Sequence, residues 1–300
     1  MFKQKLIAIL GCLIILTTIL AVSPVSAAPA QMTYEDLKNM DEADIDSLTL
    51  NQIEEITDSF SKLTKEELGK IDKDTHLKIY QLWQRYYLAE AETSMQKSIA
   101  NTNNKRSLLL DSPGLRSDTV FTSANWGDSG GGGTMWHDWT SSYVLASNRN
   151  NLWAEGDIEG YAYAFARNGV AFSTSPWAAN EVHEVDITID GYLGWWMTTM
   201  GFPGEGSFEV ILYLYDATNQ QVVNNITVYD QGASLLFNQS GNYSDGFRAT
   251  LHADRDYVVF VRSYITAFAF ILVDPGYCQS DSDVTDYHTD WSAITLSWVN

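Results

Sequence analysis

The chain has 300 residues, 38 of them Asp or Glu against 18 Lys or Arg, for a formal charge of −20 at pH 7. An excess of that size works against nucleic acid and anionic membrane surfaces as partners. The length is sufficient to bury a stabilising core without covalent cross-links.

Residues 1–27 carry the marks of an export leader: Lys3 and Lys5, an apolar run from Leu6 to Val22, and the small residues Val25, Ser26 and Ala27 ahead of Ala28. Cleavage there removes two lysines and takes the charge to −22. Left uncleaved, the leader is the one predicted membrane contact, and its lysines hold the N-terminus in the cytoplasm. Both outcomes place the remainder outside the cell, secreted or displayed on the cell surface. Cys12 leaves with the leader, so Cys278 has no intramolecular disulfide partner.

Residues 28–100 predict short helices and then a long one. Thr33, Thr49 and Thr64 each stand three residues before Asp36, Gln52 or Glu67, the spacing of a capping box, with apolar residues one turn further on. Helices this short need a surface to pack on. The long helix, from about Asp74 to Ile99, supplies a stripe of Ile79, Leu82, Trp83, Tyr86 and Ala89 at helical spacing, a core or docking face. Asp41, Asp44 and Asp46 alternate as in a calcium loop, but the glycine and final glutamate of an EF-hand are missing.

Residues 101–117 show no apolar period and read as a linker that contains Lys105 and Arg106. From 118 to 300 the period becomes two. Phe208, Val210, Leu212 and Leu214 alternate with Glu209, Ile211, Tyr213 and Tyr215. Asn168-Gly169, between two alternating runs, predicts a hairpin turn. Another pair of runs, Phe247 to Leu251 and Tyr257 to Tyr264, is joined by a short polar connection. The many short strands predict a mainly β protein, an antiparallel β-sandwich of jelly-roll type preceded by the small α-helical segment.

Gly127-Asp-Ser-Gly-Gly131 resembles the nucleophile signature of trypsin-like proteases and the elbow of α/β-hydrolases. No His and Asp set precedes Ser129 in a β domain, and glycines follow where a helix should start, so a flexible glycine loop is expected. Glu184-Val-Asp186-Ile-Thr188-Ile-Asp190 resembles the active-site strand of family-16 glycoside hydrolases, the laminarinases and lichenases. That resemblance implies a nucleophile at Glu184 and an assisting carboxylate at Asp186, while Thr188 stands where the acid/base residue belongs. Alternation puts these polar residues on one strand face and Val185, Ile187 and Ile189 on the other.

Trp126, Trp136, Trp139 and Trp153 fall within 28 residues, beside glycines, His137 and Asp138. Indole faces stack on sugar rings and carboxylates accept hydroxyl hydrogen bonds, so these tryptophans are the candidate glycan-binding residues. Asp281, Asp283, Asp286 and Asp290 cluster hard oxygen ligands suited to calcium. Taken together, the features predict an extracellular, non-catalytic module for adhesion, envelope structure or carbohydrate binding. A secreted jelly-roll glycoside hydrolase is the alternative.

Overall fold

A computed structural model describes residues 32–102, 107–113, 118–134, 137–157, 160–200, 204–233, 236–269, 277–282 and 287–299. The leader lies outside them. Among the described residues no helix is long and apolar enough to cross a membrane.

Among the described residues five α-helices come first: α1 (Tyr34–Leu37), α2 (Glu42–Ser47), α3 (Leu50–Ser61), α4 (Lys65–Leu68) and α5 (Lys73–Thr102). The amides of Thr33, Thr49 and Thr64 donate to the side chains of Asp36, Gln52 and Glu67 at 2.8, 2.9 and 2.9 Å. These bonds satisfy amides that the helix itself leaves unpaired. Asp41 and Asp44 form a fourth box at the start of α2, so those aspartates serve a helix end. Leu37, Ile53, Ile56 and Phe60 are buried in one cluster with Ile79, Leu82 and Trp83 of α5.

Thirteen strands follow among the described residues: β1 (Leu108–Leu109), β2 (Thr119–Phe121), β3 (Trp126–Gly133), β4 (His137–Val144), β5 (Arg149–Asp157), β6 (Tyr161–Ser173), β7 (Val182–Met200), β8 (Gly204–Asp216), β9 (Gln221–Ala233), β10 (Phe237–His252), β11 (Asp256–Ala269), β12 (Tyr277–Ser282) and β13 (Thr289–Val299). They form two sheets. In the first, β6, β11, β8 and β9 lie in that order, with β1 and β3 along the free edge of β6. In the second, β10 pairs with β7, and β12 and β13 follow one another along the far edge of β7. Beyond them come β5 with β4, and β2 against β13. From β5 onward the chain passes repeatedly from sheet to sheet, the crossing pattern of a jelly roll.

The β-sandwich expected from the alternation is observed. Phe208, Val210, Leu212 and Leu214 face inward with Val185, Ile187, Ile189, Val259, Val261 and Ile265. Tyr213 and Tyr215 face outward, beneath the end of α5 with Met95 and Ile99. Further along α5, Tyr80 stacks on Phe268 at 5.2 Å between ring centroids, and Tyr87 on Tyr161 and Tyr163 at 5.5 and 4.8 Å. The helices thus make a third layer on the first sheet, with β6 and β11 buried on both faces.

Four local expectations are corrected. Asn168-Gly169 makes no hairpin: β6 runs straight through it. A Cβ on Gly169 would lie 2.1 Å from the Val259 carbonyl oxygen, so the glycine permits close approach of β11. The glycine run is not a loop but strand β3, paired with β6. Leu108–Leu109, inside the stretch read as linker, pairs with β6. The runs at 247–251 and 257–264 belong to opposite sheets, so their connection is a crossover.

Candidate functional site

The helices cover the first sheet, and the second sheet turns its outer face to solvent. On β5, burial alternates strictly: Asn150, Leu152 and Ala154 are buried, while Arg149, Asn151, Trp153 and Glu155 are half-exposed on the outer face. Directly paired residues in an antiparallel ladder share a face. Trp153 pairs with Asp281 of β12, and Asp281 pairs with Trp196 of β7. One cross-strand row therefore reads Thr140, Trp153, Asp281, Trp196 and Asn238.

Both indoles are half-exposed, while Asp281 between them is only 6% exposed. With strands about 4.8 Å apart, the two tryptophan backbones lie roughly 10 Å from one another. The next row holds Asp138, Glu155, Gln279 and Thr198, groups able to bond hydroxyls. At the other end, Asn238 donates to the Tyr287 hydroxyl at 3.2 Å.

Sequence reasoning named Trp153 for stacking and Asp281 for a metal, and the fold makes them neighbours. It missed Trp196. The signal was the alternation of β7: Val185, Ile187 and Ile189 face inward, and the same parity puts Trp195 in the core and Trp196 outside. Trp126 is 3% exposed, packed on Phe260 at 5.1 Å beneath α5, so it offers no face to a ligand. Trp139 is partly buried and packs against the core. Trp136 lies outside the described residues.

Of the proposed calcium ligands, Asp290 accepts from His288 Nε2 at 3.0 Å and from the Tyr192 amide at 3.3 Å. Asp283 and Asp286 lie outside the described residues. Among the described residues no three acidic, His or Cys groups are placed to hold a metal ion.

Glu184 and Asp186 share the outer face of β7 as the alternation required. Asp186 accepts two bonds from Arg248, at 2.7 and 2.9 Å, and that guanidinium holds its carboxyl below the usual range. Across from Glu184 stand Thr250 and Val299, and across from Asp186 stand Arg248 and Ser297. The neighbouring strands therefore bring no second carboxyl opposite either residue. Ser129 lies within β3, paired with Ala166.

No known protein family matches the sequence, and no curated protein matches it. Among solved structures, tailspike protein 4 of bacteriophage CBA120 is similar at 11% identity and a TM-score of 0.21, over 58% of this chain and 19% of that one. A family 22 carbohydrate-binding module of a Clostridium thermocellum xylanase is similar at 11% identity and a TM-score of 0.20, over 59% of this chain and 95% of the module. The family 11 carbohydrate-binding module of a cellulosomal cellulase from the same organism is similar at 9% identity and a TM-score of 0.20, over 62% and 97%. The chain spans about a fifth of the tailspike domain it matches. Likeness at this level carries no argument about function.

Proposed function

We propose that the protein is an extracellular, non-catalytic glycan-binding module whose platform is the row of Trp153, Asp281 and Trp196. The observation that supports it most is the register itself. It sets two half-exposed indoles one strand to either side of a carboxylate, on the sheet face the helices leave open. Indoles supply apolar faces for sugar rings, and the polar row of Asp138, Glu155 and Gln279 alongside supplies hydroxyl acceptors. The leader-like residues 1–27 support placement outside the cell.

Calorimetric titration of the full chain with a panel of soluble oligosaccharides tests this reading. Trp153→Ala and Trp196→Ala should each weaken the best ligand by about tenfold or more, the size of a tryptophan hot spot. No binding by the parent, or equal affinity in both variants, would remove the platform. The same titration in EDTA tests whether calcium contributes, and no oligosaccharide should be cleaved.

A further inference from the structure

The chain contains three Asn-x-Ser/Thr sequons, Asn225-Ile-Thr227, Asn238-Gln-Ser240 and Asn242-Tyr-Ser244, none with proline at its middle position. The motif is the acceptor of N-linked glycans on exported chains. All three lie on β9 and β10. β9 is the last strand of the first sheet and β10 the last of the second, so each has a ladder partner on one side only. The two edges run beside one another, and Asn224 of β9 donates to the Arg248 carbonyl of β10 at 2.9 Å. Long edge strands are templates for pairing with other chains, and proteins blunt them with lysine, proline or bulges. These strands are 13 and 16 residues long and contain neither lysine nor proline. Two register shifts break β9, but β10 follows β7 without one.

Residues two apart on a strand share a face. At Asn225 and Asn242 this turns the amide and the sequon hydroxyl outward together, with Thr227 and Ser244 exposed like the asparagines. The middle residues turn inward. Ile226 packs against the core, and Tyr243 is buried there and donates to the Asp290 carbonyl at 2.9 Å. The cross-strand neighbours of the two asparagines are Tyr213 and Tyr192, on the outer faces of the two sheets, so the sites flank the seam from both sides. Asn238 differs: its amide donates to the Tyr287 hydroxyl, and it stands beside Trp196 in the tryptophan row.

Resting on the export leader read at residues 1–27, we infer that Asn225 and Asn242 carry N-linked glycans that cover the seam between the free edges of the two sheets, and that Asn238 stays bare. Each transfer joins the asparagine Nδ2 to the anomeric carbon of an oligosaccharide carried on a lipid phosphate. The bond from that carbon to the phosphate oxygen breaks, the lipid phosphate leaves, the amide gives up one proton, and nothing is oxidised or reduced. A glycan at Asn238 would displace the bond to Tyr287 and stand over Trp196, closing the row.

The test is peptide mass spectrometry on the full chain recovered from outside the membrane of the cells that naturally make it. Fragmentation should assign saccharide masses to Asn225 and Asn242 and none to Asn238. Thr227→Val and Ser244→Ala leave both asparagines in place, and each should remove one saccharide. The double variant should aggregate at a severalfold lower protein concentration than the parent. An exported chain with Asn225 or Asn242 bare overturns the inference and leaves export standing. Saccharide on Asn238 overturns the choice among the three sequons, and a double variant no more prone to aggregate than the parent overturns the covering role. A chain recovered only from the cytoplasm with its leader intact overturns export and the inference together.

Discussion

Asn168 is fully buried in the middle of β6, and its amide links two sheets. It donates to Asn150 Oδ1 at 3.0 Å and accepts the indole N–H of Trp291, while Asn150 donates to the Ala166 carbonyl and to Ser263 Oγ, each at 3.1 Å. Removing one member of such a set strands the others without solvent. Asn168→Leu, close in size, should therefore cost about 2–3 kcal/mol in urea unfolding; a change below about 0.5 kcal/mol, typical of surface positions, would mean the cluster is not holding the sheets. A second residue sets an acid limb. Glu181 accepts from His183 Nε2 at 2.6 Å, from the Ser112 hydroxyl and from the Ala178 amide at 2.8 Å, and the His183 and Ser112 bonds foremost push its pKa down to about 2. A carboxyl whose folded pKa is depressed adds stability above its unfolded value and loses it as pH falls toward the folded one. Glu181→Gln should accordingly have a melting temperature that falls less steeply than the parent's between about pH 4.5 and pH 2; parallel acid limbs would exclude this contribution.

At the scale of elements, β3 shows why a glycine run can be a strand. A Cβ on Gly127 would meet the Tyr143 ring at 2.4 Å, one on Gly131 would meet Trp139 at 2.6 Å, and one on Gly133 would meet His137 at 2.7 Å. Three side chains of β4 thus close over bare backbone, a demand made by a neighbouring strand and invisible in the local composition. The other face of this region docks α5 through buried charge. Arg167 is fully buried, paired to Asp128 at 2.9 Å, and donates to the Ala91 carbonyl of α5. Its burial draws the guanidinium pKa down to about 10, and burial likewise raises that of Asp128. Asp128→Ala would leave the guanidinium enclosed and should cost about 3–5 kcal/mol, whereas adding Arg167→Met should restore much of the loss. A double variant no more stable than Asp128→Ala, measured in the same denaturant series, would contradict this. Periodicity made β7, β8 and the capping boxes legible in the sequence, because each is a local pattern. Asn168-Gly169 misled because its turn preference presumes exposure, and here a polar cluster and a close strand contact selected the same residues. Trp153 and Asp281 were visible singly, but their pairing depends on a register between distant strands, and Trp196 gained its meaning only from that register.

For the whole molecule, the third layer decides how the parts depend on one another. Tyr161, Tyr163, Phe165, Tyr264 and Phe268 form one cluster with the helices, and Trp126, Tyr213 and Phe260 form another with Met95 and Ile99. Without residues 32–102 these eight aromatic rings would lose the helical cover of both clusters and face water, and exposed apolar surface of this kind is an aggregation liability. The two buried arginines, Arg167 and Arg262, would gain hydration, but guanidinium solvation does nothing to hide the rings around them. A fragment of residues 118–300 should therefore bind a hydrophobic dye, self-associate and melt well below the full chain. A helical fragment of residues 32–102 added in trans should reverse part of each effect. The tryptophan row lies on the opposite face of the sandwich, so fragment that remains folded and monomeric should bind oligosaccharide with the affinity of the full chain. A fragment that is monomeric, silent to the dye and as stable as the parent would show that the helices merely rest on a self-sufficient sandwich. Loss of glycan affinity from folded monomeric fragment would instead place the ligand on the helical side.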